Sequence, residues 1–101
     1  MTVEKIQDGI IYLNVRGLLL ECDKTKVSQL RDLAMMNNVY AIVLTETWLT
    51  SSILDAEVNI ENFKLYRTDR SGQVHGGVCI YLRRDISANV VISRSDCWSN
   101  F

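Results

Sequence analysis

The run Tyr40-Ala-Ile-Val43 leads into Leu44-Thr-Glu-Thr-Trp-Leu49 and sets one carboxylate, Glu46, at the end of a strongly apolar segment. Short β-branched runs of this kind read as strands covered on both faces, and they usually finish in turn formers rather than in a charge between two threonines. Glu46 therefore calls for a chemical explanation, set against two plainer ones: a cap for the following segment, or an ion pair with a surface arginine. Further along, Tyr66, Arg67 and Arg70 cluster before Ser71-Gly72. The planar guanidinium fork suits bidentate contact with phosphate, so these residues could touch a nucleic-acid backbone; solvated loop side chains are the plainer reading. Trp48 would cover such a site, contact a base, or anchor its loop as a buried aromatic. The single histidine, His75, stands before Gly76-Gly77 and reads as a turn or surface residue.

Charge is unevenly spread along the chain. Residues 1–63 carry five Lys/Arg against nine Asp/Glu, and residues 64–94 carry six against two, so the later third could face an anion. Cys22, Cys79 and Cys97 are odd in number and lack C-x-x-C spacing, which with one histidine supports neither a disulfide framework nor a zinc site. Reduced thiols in an intracellular setting, cytoplasm or nucleus, fit best, and Cys79 within Val-Cys-Ile-Tyr-Leu reads as a small buried hydrophobe. The N-terminal residues lack a secretory pattern and no apolar run reaches membrane-spanning length, so no membrane partner is expected.

These residues need elements to position them. At 101 residues with 48% hydrophobic content the chain is expected to form one domain, residues 1–101. Gly9–Val15, bounded by Asp8-Gly9 and Arg16-Gly17, reads as a first buried strand. From Asp23, a candidate N-cap, Val27, Leu30, Leu33 and Ala34 recur at helical spacing, predicting an amphipathic helix that ends near Asn37-Asn38. Tyr40–Thr45 is the next strand, and strand, helix, strand implies a crossover between parallel neighbours or near neighbours. Lys64–Arg67, Val78–Leu82 and Ala88–Ile92 read as further strands. Their links are short and polar, with Asp69-Arg70-Ser71-Gly72 and Arg83-Arg84-Asp85 as turns, and this predicts antiparallel pairing. The expected class is α/β, with a mixed sheet and one main helix.

Four segments in order, Tyr12-Leu-Asn-Val-Arg-Gly-Leu18, Ile42-Val-Leu-Thr-Glu-Thr-Trp-Leu49, Leu65-Tyr-Arg-Thr-Asp-Arg-Ser-Gly72 and His75-Gly-Gly-Val-Cys-Ile-Tyr-Leu82, carry a resemblance. Together they resemble the start of an endonuclease/exonuclease/phosphatase superfamily domain, and more narrowly the apurinic-type endonuclease of non-LTR (LINE-type) retrotransposons. The resemblance runs from Gly9 to at least Ile92. It implies a partial four-layer αββα sandwich of the DNase I-like kind. It also implies that Asn14 and Glu46, matching the family's strand-end asparagine and glutamate, meet at one rim, where Glu46 helps hold Mg²⁺ (or Mn²⁺). A hard cation needs only one or two protein carboxylates, with water and phosphate oxygens completing its shell. It would polarise a phosphodiester while Asn14 orients a ligand or phosphate; a turn former before Arg16-Gly17 is the plainer reading of Asn14.

The family's later motifs, an aspartate-asparagine pair that positions water and a late aspartate-histidine pair, do not occur before Phe101. The chain thus resembles an N-terminal half, with an incomplete metal site and no expected hydrolysis alone. Two functions stand side by side. One is a fragment of a Mg²⁺-dependent phosphodiesterase whose complete domain acts on DNA. The other is a non-catalytic α/β module whose uncovered sheet recruits a partner or a second copy of itself.

Overall fold

The structure is a computed structural model that describes residues 5–20, 23–36, 38–69 and 75–86. It is an α/β fold. Strands β1 (Lys5–Gln7), β2 (Ile10–Asn14), β3 (Ala41–Thr45), β4 (Phe63–Thr68) and β5 (Val78–Arg83) form one mixed sheet in the order β1-β2-β3-β5-β4, with one helix, α1 (Thr25–Ala34). A 3-10 turn at Asp55–Val58 interrupts the link from β3 to β4. The expected β2-α1-β3 unit is parallel, Ile10 facing Ala41 and Asn14 facing Thr45, while β5 pairs antiparallel with both β3 and β4. Among the described residues there is one sheet and no second layer of strands. The expected strand at Ala88–Ile92 lies outside the described residues.

Local sequence accounts for most element ends. Asp8 and Gly9 both have positive φ, 53° and 82°, the two-residue turn whose twist suits a hairpin, and it folds β1 back antiparallel on β2. At α1 the Asp23 carboxylate accepts bonds from the Thr25 hydroxyl and the Thr25 N–H at 2.6 and 2.9 Å, and these hold its pKa below the usual carboxylate value. The N-cap position itself falls on Lys24, one residue later than expected. The helix also stops at Ala34 rather than near Asn37-Asn38. Met35 and Met36 N–H groups bond to Asp32 and Leu33 oxygens, three residues back, so the last turn tightens while both methionine side chains face solvent.

The two faces of the sheet differ sharply. Alternate residues Ile11, Leu13, Ile42, Leu44, Cys79 and Tyr81 point to the α1 side and, with Val27, Leu30, Val58 and Phe63, form a core with at most 3% exposure. Burying each such aliphatic contributes about 1.5–3 kcal/mol. The Tyr81 hydroxyl is satisfied by the Val58 carbonyl at 2.7 Å, which pins β5 to the 3-10 turn, and burial pushes its pKa up. Cys79 is the buried small hydrophobe expected, its thiol pKa also raised by burial. On the other face the register lines up Ile10-Ala41-Leu82-Lys64, then Tyr12-Val43-Ile80-Tyr66, then Asn14-Thr45-Val78-Thr68. No described helix is long and apolar enough to cross a membrane.

Candidate functional site

The last of those rows is one rim of the sheet. Parallel register ends β2 and β3 together, so Asn14 faces Thr45, one residue before Glu46. β5 begins and β4 ends at the same rim, because Val78 faces both Thr45 and Thr68. Pairing continues past the strands: Val15, Gly17 and Leu18 N–H groups bond to Thr45, Glu46 and Thr47 oxygens at 2.8–3.1 Å. From the other side, Thr47 and Trp48 N–H groups bond to Gly77 and Gly76 oxygens at 3.3 and 2.8 Å. The Glu46-Thr47-Trp48 backbone is thus gripped by a neighbour on each flank.

That grip holds an uncommon conformation. Glu46 and Trp48 both adopt φ of 55°, a left-handed region that bulky L-residues enter only when the surroundings over-determine it. Thr47 between them is 1% exposed, and its Oγ1 has no hydrogen-bond partner among the described residues. The Trp48 indole Nε1 donates to Glu46 Oε1 at 3.1 Å. His75 stacks on the indole with ring centroids 4.1 Å apart and planes 23° from parallel. Gly17 is needed beneath it: its φ is 91°, and a Cβ there would lie 2.7 Å from Trp48 Cε3. Trp48 is therefore a half-buried loop anchor, and exposed His75 is a surface residue with a partner. Glu46 neither caps a helix nor pairs with a cation among the described residues.

Asn14 does form the turn expected as its plainer reading, its Oδ1 accepting from Arg16 N–H at 3.2 Å. Sequence reasoning missed Lys26. From α1 its ammonium donates to the carbonyls of Val15, Arg16 and Gly17, stitching the loop after Asn14 to the helix. Only its place on the polar side of the helix pattern was visible, and that position normally means solvent.

The three residues expected to meet phosphate are divided by the strand. Tyr66 and Arg67 are consecutive in β4, so they point to opposite faces. Tyr66 lies one row in from the rim on the face opposite α1, with Lys64 Nζ 5.4 Å from its ring centroid. Arg67 points to the core side, where its side chain is 12% exposed and all five N–H groups are taken. Nε and Nη2 fork onto Asp69 at 3.1 and 2.6 Å, Nη1 bonds to Ile53 O and Asp55 Oδ1 at 2.8 and 3.0 Å, and Nη2 also reaches Thr50 O at 3.0 Å. Burial alone would lower its pKa, but Asp69 and Asp55 outweigh that, and the net shift is upward. In this arrangement Arg67 has no donor left for a phosphate. Arg70 lies outside the described residues.

Glu46 contributes an oxygen donor suited to a hard cation, and among the described residues its Oε2 is free of hydrogen bonds. No cluster of three or more His, Cys, Asp or Glu able to hold a metal occurs among the described residues. A single carboxylate such as Glu46 is compatible with a hard cation whose other ligands are water or substrate oxygens. In comparisons with known proteins, no family model and no curated protein matches this chain.

Proposed function

We propose that these 101 residues are one part of a Mg²⁺-dependent phosphodiesterase resembling a retrotransposon DNA endonuclease, inactive by themselves. The observation that carries this reading is the parallel register of β2 and β3, which brings Asn14 and Glu46 to one rim beside the segment His75–Gly77. Glu46 would hold the cation, which supplies Lewis-acid polarisation of a phosphodiester oxygen. Asn14 would orient a ligand or phosphate through its amide N–H₂, its Oδ1 being held by Arg16. The sheet end gives these groups fixed positions, as a rigid scaffold must. DNA is the substrate class that the resemblance implies. The test is thermal unfolding with and without Mg²⁺ or Mn²⁺: the wild-type midpoint is expected to rise with the metal and that of Glu46→Gln is not. Unchanged curves in both proteins would refute it, and nicking of supercoiled plasmid by the purified chain would refute inactivity.

The sheet face opposite α1, which no described element covers, favours a second reading, self-association. Across β2–β5 its three rows hold one charged residue, Lys64, with Ile10, Tyr12, Val43, Ile80, Leu82 and Tyr66 among their apolar members, and β1 extends the middle row by pairing Lys5 with Tyr12. Two copies of one such face can meet about a twofold axis and exclude water from both. Sedimentation at micromolar concentration is expected to give a mass above the 11.5 kDa of one chain. A monomer would discard this reading and leave the first intact.

A further inference from the structure

We propose that Trp48 is a positioning residue for Glu46: its indole N–H fixes one carboxylate oxygen, Oε1, and so presents the other, Oε2, to a divalent cation. This rests on the reading of Glu46 as a metal ligand. In extended chain, residues two apart are separated by about 7 Å. Here the left-handed turns at both Glu46 and Trp48 accompany an indole Nε1 to Oε1 distance of 3.1 Å. A side chain needed only to fill space would not require that backbone at two bulky positions.

The donor is itself held in place. Gly17 lies against one edge of the indole and His75 stacks on the ring at 4.1 Å, while the Trp48 N–H is tied to Gly76 O at 2.8 Å. The carboxylate therefore has one oxygen hydrogen-bonded and its torsions restricted before any metal arrives. Groups that orient a metal ligand in this way act on affinity, and their removal typically weakens binding about 10- to 100-fold. The arrangement also makes Glu46 a one-oxygen ligand, as suits a cation that keeps most of its water.

Mn²⁺ titration of the 101-residue chain, following free Mn²⁺ by electron paramagnetic resonance, tests this with Trp48→Phe and Glu46→Gln. Phenylalanine keeps a ring for Gly17 and His75 but has no N–H. Trp48→Phe is expected, while folded, to bind Mn²⁺ at least about tenfold more weakly, and Glu46→Gln to show no binding. Equal affinity in wild type and Trp48→Phe overturns the positioning role while leaving Glu46 as the ligand. Absence of Mn²⁺ binding by the wild type, or undiminished binding by Glu46→Gln, overturns both. A metal-free measurement decides the matter if Trp48→Phe does not fold: the Trp48 indole N–H should exchange with solvent more slowly in wild type than in Glu46→Ala. Equal exchange rates overturn the proposal whatever the metal does.

Discussion

Two carboxylates stand at the same rim of the sheet and are treated in opposite ways. Asp69, following β4, has both oxygens engaged by Arg67, whose remaining donors reach Asp55 and the carbonyls of Thr50 and Ile53. Glu46, following β3, meets no cation among the described residues; one oxygen takes a neutral indole N–H and the other stays free. The Asp69 side has matched charges and ties the long link between β3 and β4 onto the sheet. The Glu46 side contains two left-handed non-glycine residues and an unpartnered buried hydroxyl. Fully satisfied polar groups rigidify a fold, whereas strain and unmatched groups persist where the surroundings over-determine them and tend to gather at functional sites. The contrast assigns Arg67 and Asp69 to stability and leaves Glu46 available for chemistry.

The largest effect that would break this contrast is expected at Arg67. Arg67→Met would strand Asp69, 22% exposed, together with two carbonyls, while Asp55, 69% exposed, would turn to water. Removing one partner of a buried ion pair costs about 3–5 kcal/mol, and the exposure of Asp55 places this case near the lower end. Urea unfolding should show that loss, with any Mn²⁺ affinity at Glu46 retained in the folded fraction. A change below about 0.5 kcal/mol, the size usual for surface substitutions, would make the cluster solvated decoration.

The opposite pattern is expected at Glu46. Glycine adopts φ of 55° without the steric penalty that other residues meet there, which relieves about 1 kcal/mol. Glu46→Gly should therefore raise the urea midpoint slightly and abolish any metal-dependent shift, since the carboxylate proposed to hold the metal is gone. Stability gained where function is lost is the usual behaviour of a strained site. Loss of stability in Glu46→Gly would mean that the Trp48 hydrogen bond outweighs the backbone strain, and the two carboxylates would then differ less than their contacts imply.

How much of this was legible in the residues follows from the range of each interaction. Strands β2, β3, β4 and β5 and helix α1 announce themselves through runs and spacing that act within a few residues, and the parallel β2-β3 pair follows from the helix between them. β1 has little signal of its own because Lys5-Ile6-Gln7 holds one apolar residue, although Asp8-Gly9 carries the hairpin signal. The resemblance implies that Asn14 and Glu46 meet, and the parallel register ends β2 and β3 at one rim. The fate of Arg67 was not legible: its partners span residues 50–69 and depend on a link whose path only the folded chain defines. Nor was the Glu46-Trp48 contact, because positive φ at glutamate and tryptophan runs against local preference.

The smallest expected effect sharpens the same contrast at Thr47, which lies between the two strained residues. Its hydroxyl is buried, 1% exposed, and a Cβ built on Gly77 would come within 2.6 Å of it, so the surroundings leave little space on that side. A buried donor without a partner carries its desolvation cost uncompensated, whereas an apolar group of the same shape carries none. Thr47→Val keeps the branched shape and replaces the unpartnered hydroxyl with a methyl group. It should raise stability by about 1 kcal/mol or less and leave Mn²⁺ affinity unchanged, because Thr47 Oγ1 is bonded to neither Glu46 nor Trp48. A clear loss on urea unfolding would reveal a hydrogen bond to that hydroxyl in solution, and the Glu46 side of the rim would then be as well satisfied as the Asp69 side.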